Sequence, residues 1–199
     1  MPVSTEEKKT KNTVCEPEEL DYKIEIATQT LDRNIGFVTN CDNKTSIILT
    51  AVGVLLTIIL TNEGINKAFY IIKSCIGAKT FCSIFYLLCF AGSIFIMALG
   101  MFKLGSVLMA KTSEDAVGRK DATSRIFFSG IRKSGDCKTY RSRFYSMNRE
   151  ELLNELIEQI YINADIATQK YEKYNLGIKC TIIGFVLFVA ILLIGIYLY

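Results

Sequence analysis

Apolar and polar positions in this chain sort into helical stripes, unbroken apolar runs and blocks of charge. From residue 148 onward, apolar or small residues recur at Leu153, Ile157, Ile160, Ala164, Ala167, Tyr171, Tyr174 and Ile178. Steps that alternate four and three keep one stripe of a helix against a neighbour. Asn148 stands where an N-cap is needed, and Glu151, three residues on, completes a capping box. No Pro interrupts the pattern, and Gly177 is its one weak link. From Cys180 to Tyr199 every side chain except Thr181 is apolar, small or aromatic, and none is charged. About 20 residues at about 1.5 Å each span about 30 Å, the hydrocarbon thickness of a bilayer. Their Leu, Ile, Val and Phe content favours insertion by roughly 4–8 kcal/mol. A helical stalk over residues 148–179 is therefore predicted to run into a membrane span over 180–199.

The N-terminal half repeats the arrangement. Pro17 among Glu16, Glu18, Glu19 and Asp21 is a favourable helix entry. Behind it Leu20, Ile24, Ala27, Leu31, Asn34, Val38 and Cys41 step by four and three, predicting a stalk over 18–45. A first span follows over 46–61. At roughly 16 residues, or about 24 Å, it crosses only with local thinning or extended ends, and a buried helix of a soluble protein is the rival reading of this run. Residues 62–80 carry Lys67, Lys73 and Lys79 among Ile65, Phe69, Ile72 and Ile76, which predicts an extracytoplasmic connection that is partly an interfacial amphipathic helix. A second span covers 81–102 and ends at Lys103, which can snorkel. Leu104, Val107 and Leu108 extend that helix toward Lys111, before a polar break over 112–118. Residues 1–17 read as a disordered tail.

Charge then orients the elements. Within a basic region over 103–147, Arg119, Lys120, Arg125, Arg132, Lys133, Lys138, Arg141 and Arg143 face only Asp121 and Asp136 between positions 119 and 143. Ser129–Gly130 and Ser134–Gly135–Asp136 predict loops or a short hairpin there, anchored by Ile126, Phe127 and Phe128. This excess of Lys and Arg beside the membrane ends places the region in the cytosol. Three spans then put the N-terminus inside and Tyr199 outside, and make the two stalks parallel neighbours. The acidic start of the first stalk complements the basic loop.

Composition narrows the chemistry. Half of the 199 residues are hydrophobic, yet charge is excluded from the apolar runs, the pattern of a membrane protein. There is no His and no Trp, and the seven Cys form no CxxC pair, so no metal site and no cofactor are expected. No phosphate-binding loop, nucleophile elbow or paired carboxylate in an apolar setting is present, so no enzyme is expected. No ionisable residue sits mid-span, which disfavours a transporter or proton relay. Gly53, Gly92, Gly100, Gly184 and Gly195 permit close helix approach, though none forms GxxxG. The basic cluster, interleaved with Tyr140, Phe144 and Tyr145, has two readings. One is positive-inside topology with anionic lipid headgroups; the other is a nucleotide-phosphate site among Arg125, Arg132, Lys133, Arg141 and Arg143. Ala164 and Ala167 are the small members of the last stalk's stripe and are the candidate coupling seam between two helix arrangements.

Three stretches carry a family resemblance. Asp42-Asn43-Lys44-Thr45-Ser46, running on to Gly53, resembles the "aD-x-K-(A/T)-S-x-x-L…G" entry to the first span of the Pycsar transmembrane effector family (PycTM). Arg125-Ile126-Phe127-Phe128-Ser129-Gly130-Ile131 is similar to its "LxFFGDI", with Ser129-Gly130 where the family tends to show Gly-Asp, so no acidic role carries over. Residues 147–170, with Glu150-Glu151-Leu152, Gln159-Ile160-Tyr161 and Lys170, resemble the "s-x-EEL…dlaxQIy…A-x-x…K" helix before the last span. The likeness covers about residues 20–199.

What the resemblance implies is an antiphage effector: a cyclase makes cCMP or cUMP during infection, and the effector then compromises the bacterial inner membrane. The expectation is thus an all-α membrane protein with three transmembrane helices, a cytosolic helical stalk domain and a basic loop. It would bind a cyclic nucleotide, form a homo-oligomer and involve no nucleic-acid polymer. The alternatives are an effector of a cyclic-oligonucleotide system, or a membrane-anchored adaptor whose stalks recruit a cytosolic partner.

Overall fold

A computed structural model describes residues 17–109 and 124–198. Among them every regular element is an α-helix: α1 Pro17–Ile59, α2 Asn62–Ala78, α3 Phe81–Leu108, α4 Phe128–Lys133, α5 Cys137–Tyr145 and α6 Arg149–Leu198. α1, α3 and α6 are each long and apolar enough to cross a membrane. The expected tail, save Pro17, lies outside the described residues, as do the polar break over 112–118 and Arg119, Lys120 and Asp121. The chain forms two compact units. One joins Met1–Asp32 with Asp121–Ile160, and the other joins Arg33–Lys120 with Tyr161–Tyr199. α1 and α6 contribute residues to both.

α1 begins at Pro17 with Glu18 and Glu19 in its first turn, as the proline and dipole rules require. Its predicted stripe is the less exposed one: Ala27 and Cys41 are buried, and the other five members are half-buried. On α6 the packed line differs from the predicted stripe by one position. Leu156, Gln159, Ile166, Lys170, Gly177 and Thr181 are buried, whereas Ile157 and Ala164 are exposed and Ala167 is half-buried. The offset has a physical cause: Gln159 and Lys170 go inside, and a count of apolar positions alone assigns them outside.

In the second unit α3 and α6 lie antiparallel in close contact. Leu104 faces Gly177, Gly100 faces Thr181, Met97 faces Gly184, and the Phe90 and Phe188 rings sit 5.6 Å apart. At the far end Tyr86 Oη donates to the Ile191 carbonyl at 3.0 Å, beside Gly195. A Cβ on Gly100 or Gly184 would collide with the opposing backbone, so these glycines set the helix separation. Gly53 and Gly92 meet nothing and have no such role. α1 and α6 meet at Asp42 and Lys170, and again where Ile59 shares a cavity with Phe188 and Leu192, so they run the same way.

α1 turns into α2 through Thr61, whose Oγ1 accepts from the Gly64 N–H at 3.3 Å. A Cβ at Gly64 would strike the Ile59 carbonyl. α2 packs through a different face from the apolar positions singled out in the sequence: Ile71 and Cys75 are buried, whereas Ile65, Phe69 and Ile76 are exposed along with Lys67 and Lys73. Lys79, at φ 46°, reverses the chain into α3. α3 stops at Leu108, three residues short of the predicted Lys111.

Candidate functional site

The basic region departs from the loop or hairpin prediction. Ser129 and Gly130 lie inside α4, and Ser134–Gly135–Asp136 forms the turn to α5, with Gly135 at φ 84°. Asp136 caps α5 by accepting from the Thr139 N–H at 2.6 Å; that bond and a second one to the Thr139 side chain hold its carboxyl below the usual range.

Around this turn the chain is tied to the start of α6. Ser124 Oγ accepts from the N–H groups of Ile126 and Phe127 at 3.2 and 3.1 Å, and donates to Glu155 Oε2 at 3.1 Å. The Arg125 N–H reaches the same oxygen at 2.7 Å, its Nε reaches Glu155 Oε1 at 2.6 Å, and its Nη1 reaches Glu151 Oε2 at 2.9 Å. Glu151 also closes the predicted capping box: its N–H donates to Asn148 Oδ1 at 2.8 Å and its carboxylate accepts from the Asn148 N–H at 3.2 Å. Tyr140 Oη donates to the Arg125 carbonyl at 2.9 Å. Gly130 is required because a Cβ there would run into the Ser124 backbone. Burial pushes the Glu155 carboxyl up, but the bonds from the Arg125 side chain and backbone and from Ser124 outweigh it, and the group lies below its ordinary range. Arg125 is raised in turn, chiefly by Glu155.

The five candidate anion-binding residues are thus differently placed. Arg125 is 18% exposed and committed to two carboxylates. Arg143 is half-buried, with Nη1 donating to Ser134 Oγ at 2.8 Å. Arg132 and Lys133 at the end of α4 and Arg141 on α5 are exposed. α5 adds exposed Phe144 and Tyr145, whose rings meet edge-on at 6.4 Å. Cations and open aromatic faces in one small helical pair suit a flat anionic ligand.

The second unit holds an ion pair absent from the candidate residues above. Lys170 Nζ donates to both Asp42 oxygens, at 2.5 and 2.8 Å, and its side chain is only 5% exposed against 34% for Asp42. Cys41 and Thr45 beside it on α1 are fully buried. The two partners are 128 residues apart, in two of the motifs quoted above. Their presence in those motifs was the only signal in the sequence that they belong together. Glu155 carried none. Among the described residues no group of His, Cys, Asp and Glu could hold a metal ion.

Comparison with known proteins follows the same lines. The profile of the Pycsar effector protein domain, PycTM, matches residues 26–196. The chain is 27% identical over 189 residues to the Pycsar effector protein GmPycTM of Gulbenkiania mobilis, covering 88% of this chain and 93% of that protein. It is 27% identical over 150 residues to the Pycsar effector protein EcPycTM of Escherichia coli, covering 75% and 77%. No solved structure matches it.

Proposed function

Since the chain belongs to the PycTM family of Pycsar effector proteins, and so to the membrane effectors of antiphage defence, we propose that a cyclic pyrimidine nucleotide, cCMP or cUMP, triggers it to impair the bacterial inner membrane. The observation that carries this reading is the reach of the family match, which takes in both the polar unit around Arg125 and the apolar bundle. In this reading the N-terminus and the basic region face the cytosol, where the nucleotide is made. The exposed Arg132, Lys133 and Arg141, with Arg143 beside them in sequence, meet its single phosphate charge, and Phe144 or Tyr145 offers a face to its base. Arg125 acts from within, by holding the α4–α5 turn on Glu151 and Glu155. Ala164 and Ala167, off the packed line of α6, form the coupling seam at which the stalk shifts between two helix arrangements.

The test is a membrane-potential dye measurement in cells expressing the chain, with and without added cCMP or cUMP. Depolarisation that requires nucleotide, and whose nucleotide threshold rises in the Arg141→Gln/Arg143→Gln variant, supports the assignment. Depolarisation with an unchanged threshold in that variant returns those residues to topology and lipid headgroups. No depolarisation with any nucleotide leaves the membrane-anchored adaptor as the better reading.

A further inference from the structure

Within the bundle unit lies a cavity of about 190 Å³ whose walls are all apolar. Its origin is a mismatch in helix length. α1 stops at Ile59, beside Phe188 and Leu192, whereas α6 continues to Leu198. The slot left past the last turn of α1 is roofed by α2 through Ala68, too small a side chain to fill it. Phe188 and Leu192 form the buried floor, and Leu60 and Ile94, 45% and 40% exposed, form an open rim.

Water has no reason to occupy this space, because no polar side chain offers it a hydrogen bond. An apolar cavity of roughly 150 Å³ stays dry and takes up benzene or xenon instead. An empty slot would forfeit dispersion contacts along its whole lining. The rim opens between Leu60, in the turn just past α1, and Ile94 on α3. Both α1 and α3 are long and apolar enough to cross a bilayer, so the apolar matter available to fill it is hydrocarbon. We propose that the cavity is a binding site for the end of a phospholipid acyl chain, which enters between Leu60 and Ile94 and rests on Phe188 and Leu192. The site is built from α1, α2, α3 and α6 together, so an occupied slot ties the α1–α2 turn to the α3–α6 pair. This inference does not depend on the nucleotide or on membrane damage.

The experiment uses the full chain purified in detergent, with bound phospholipid extracted and quantified by mass spectrometry. Ala68→Phe, which projects a ring into the slot, is compared with Ile183→Phe on the open face of α6. Wild type and Ile183→Phe should retain phospholipid, and Ala68→Phe should retain about ten-fold less, the loss expected when contacts of roughly two methylenes are blocked. Dioleoylphosphatidylcholine should raise the melting temperature of the delipidated wild type and not that of Ala68→Phe. Equal retention by all three forms would show annular lipid only and overturn the site, as would a wild type that neither retains nor responds to lipid. Should Ala68→Phe not fold, Leu60→Ala removes one side of the rim without filling the slot. Weaker retention is then expected, and unchanged retention counts against the proposal.

Discussion

A lysine 95% withdrawn from solvent is tolerated only if its charge is met, and Asp42 meets it with two hydrogen bonds. Such a pair adds little net stability over an apolar substitute, but removing one partner strands the other. Asp42→Asn, which strands the buried ammonium, should therefore destabilise the bundle by about 3–5 kcal/mol. Lys170→Met, which leaves a carboxylate one-third exposed, should destabilise it by less, both read as lowered melting temperature in detergent. The double replacement Asp42→Leu/Lys170→Met should recover most of that loss; if it is as unstable as the singles, the pair contributes more than mutual neutralisation. Glu155 gives a pH-dependent counterpart in the other unit. Its folded carboxyl titrates below its unfolded value of about 4.3. Its stabilisation is accordingly present above that value and is lost as pH falls through the folded one. Acid titration below about pH 4.3 should loosen the Ser124–Tyr140 segment, followed by amide exchange there. Glu155→Gln should show that looseness already at neutral pH.

At the scale of helices, most of the architecture was legible because lipid-compatible runs and helical stripes leave strong marks in sequence. The capping box at Asn148 and Glu151, the proline entry of α1 and its less exposed stripe follow from local rules. Two things did not. The packed line of α6 lies one position from the apolar stripe because a neutralised Lys170 counts as interior, and its neutraliser is on another helix. The α4–α5 pair was hidden because Gly130 and Ser129 look like loop residues until the Ser124 backbone occupies the space a Cβ would need. The α3–α6 contact was half visible: the glycines are evident, but which of them face a neighbour depends on a register the sequence does not display. Gly184→Leu should push Met97 aside and separate the pair, at about 1–3 kcal/mol in bundle stability. Gly53→Leu, which meets nothing, should cost under about 1 kcal/mol, the usual range for a surface change. Equal effects of the two would mean that the seam does not set helix separation.

For the molecule as a whole, the basic residues and the parallel course of α1 and α6 in the bundle make one demand on topology. Helices that run the same way enter the bilayer from the same side, and α3 returns between them. Reporter fusions should therefore find residue 1 and residue 135 on the cytosolic side and a fusion after Tyr199 on the other. A cytosolic C-terminal reporter would be incompatible with three crossings.

Lys79 then carries a consequence of its own. It reverses the chain between α2 and α3 in a left-handed conformation that glycine adopts freely and a side chain resists by about 1–2 kcal/mol. In the proposed topology Lys79 lies outside the cytosol, where a lysine also works against the positive-inside bias. Replacing it by glycine should thus fold more easily and orient at least as well, with a melting temperature a few degrees higher. In the proposed topology the partners available to the lysine's charge are lipid phosphates of the outer leaflet.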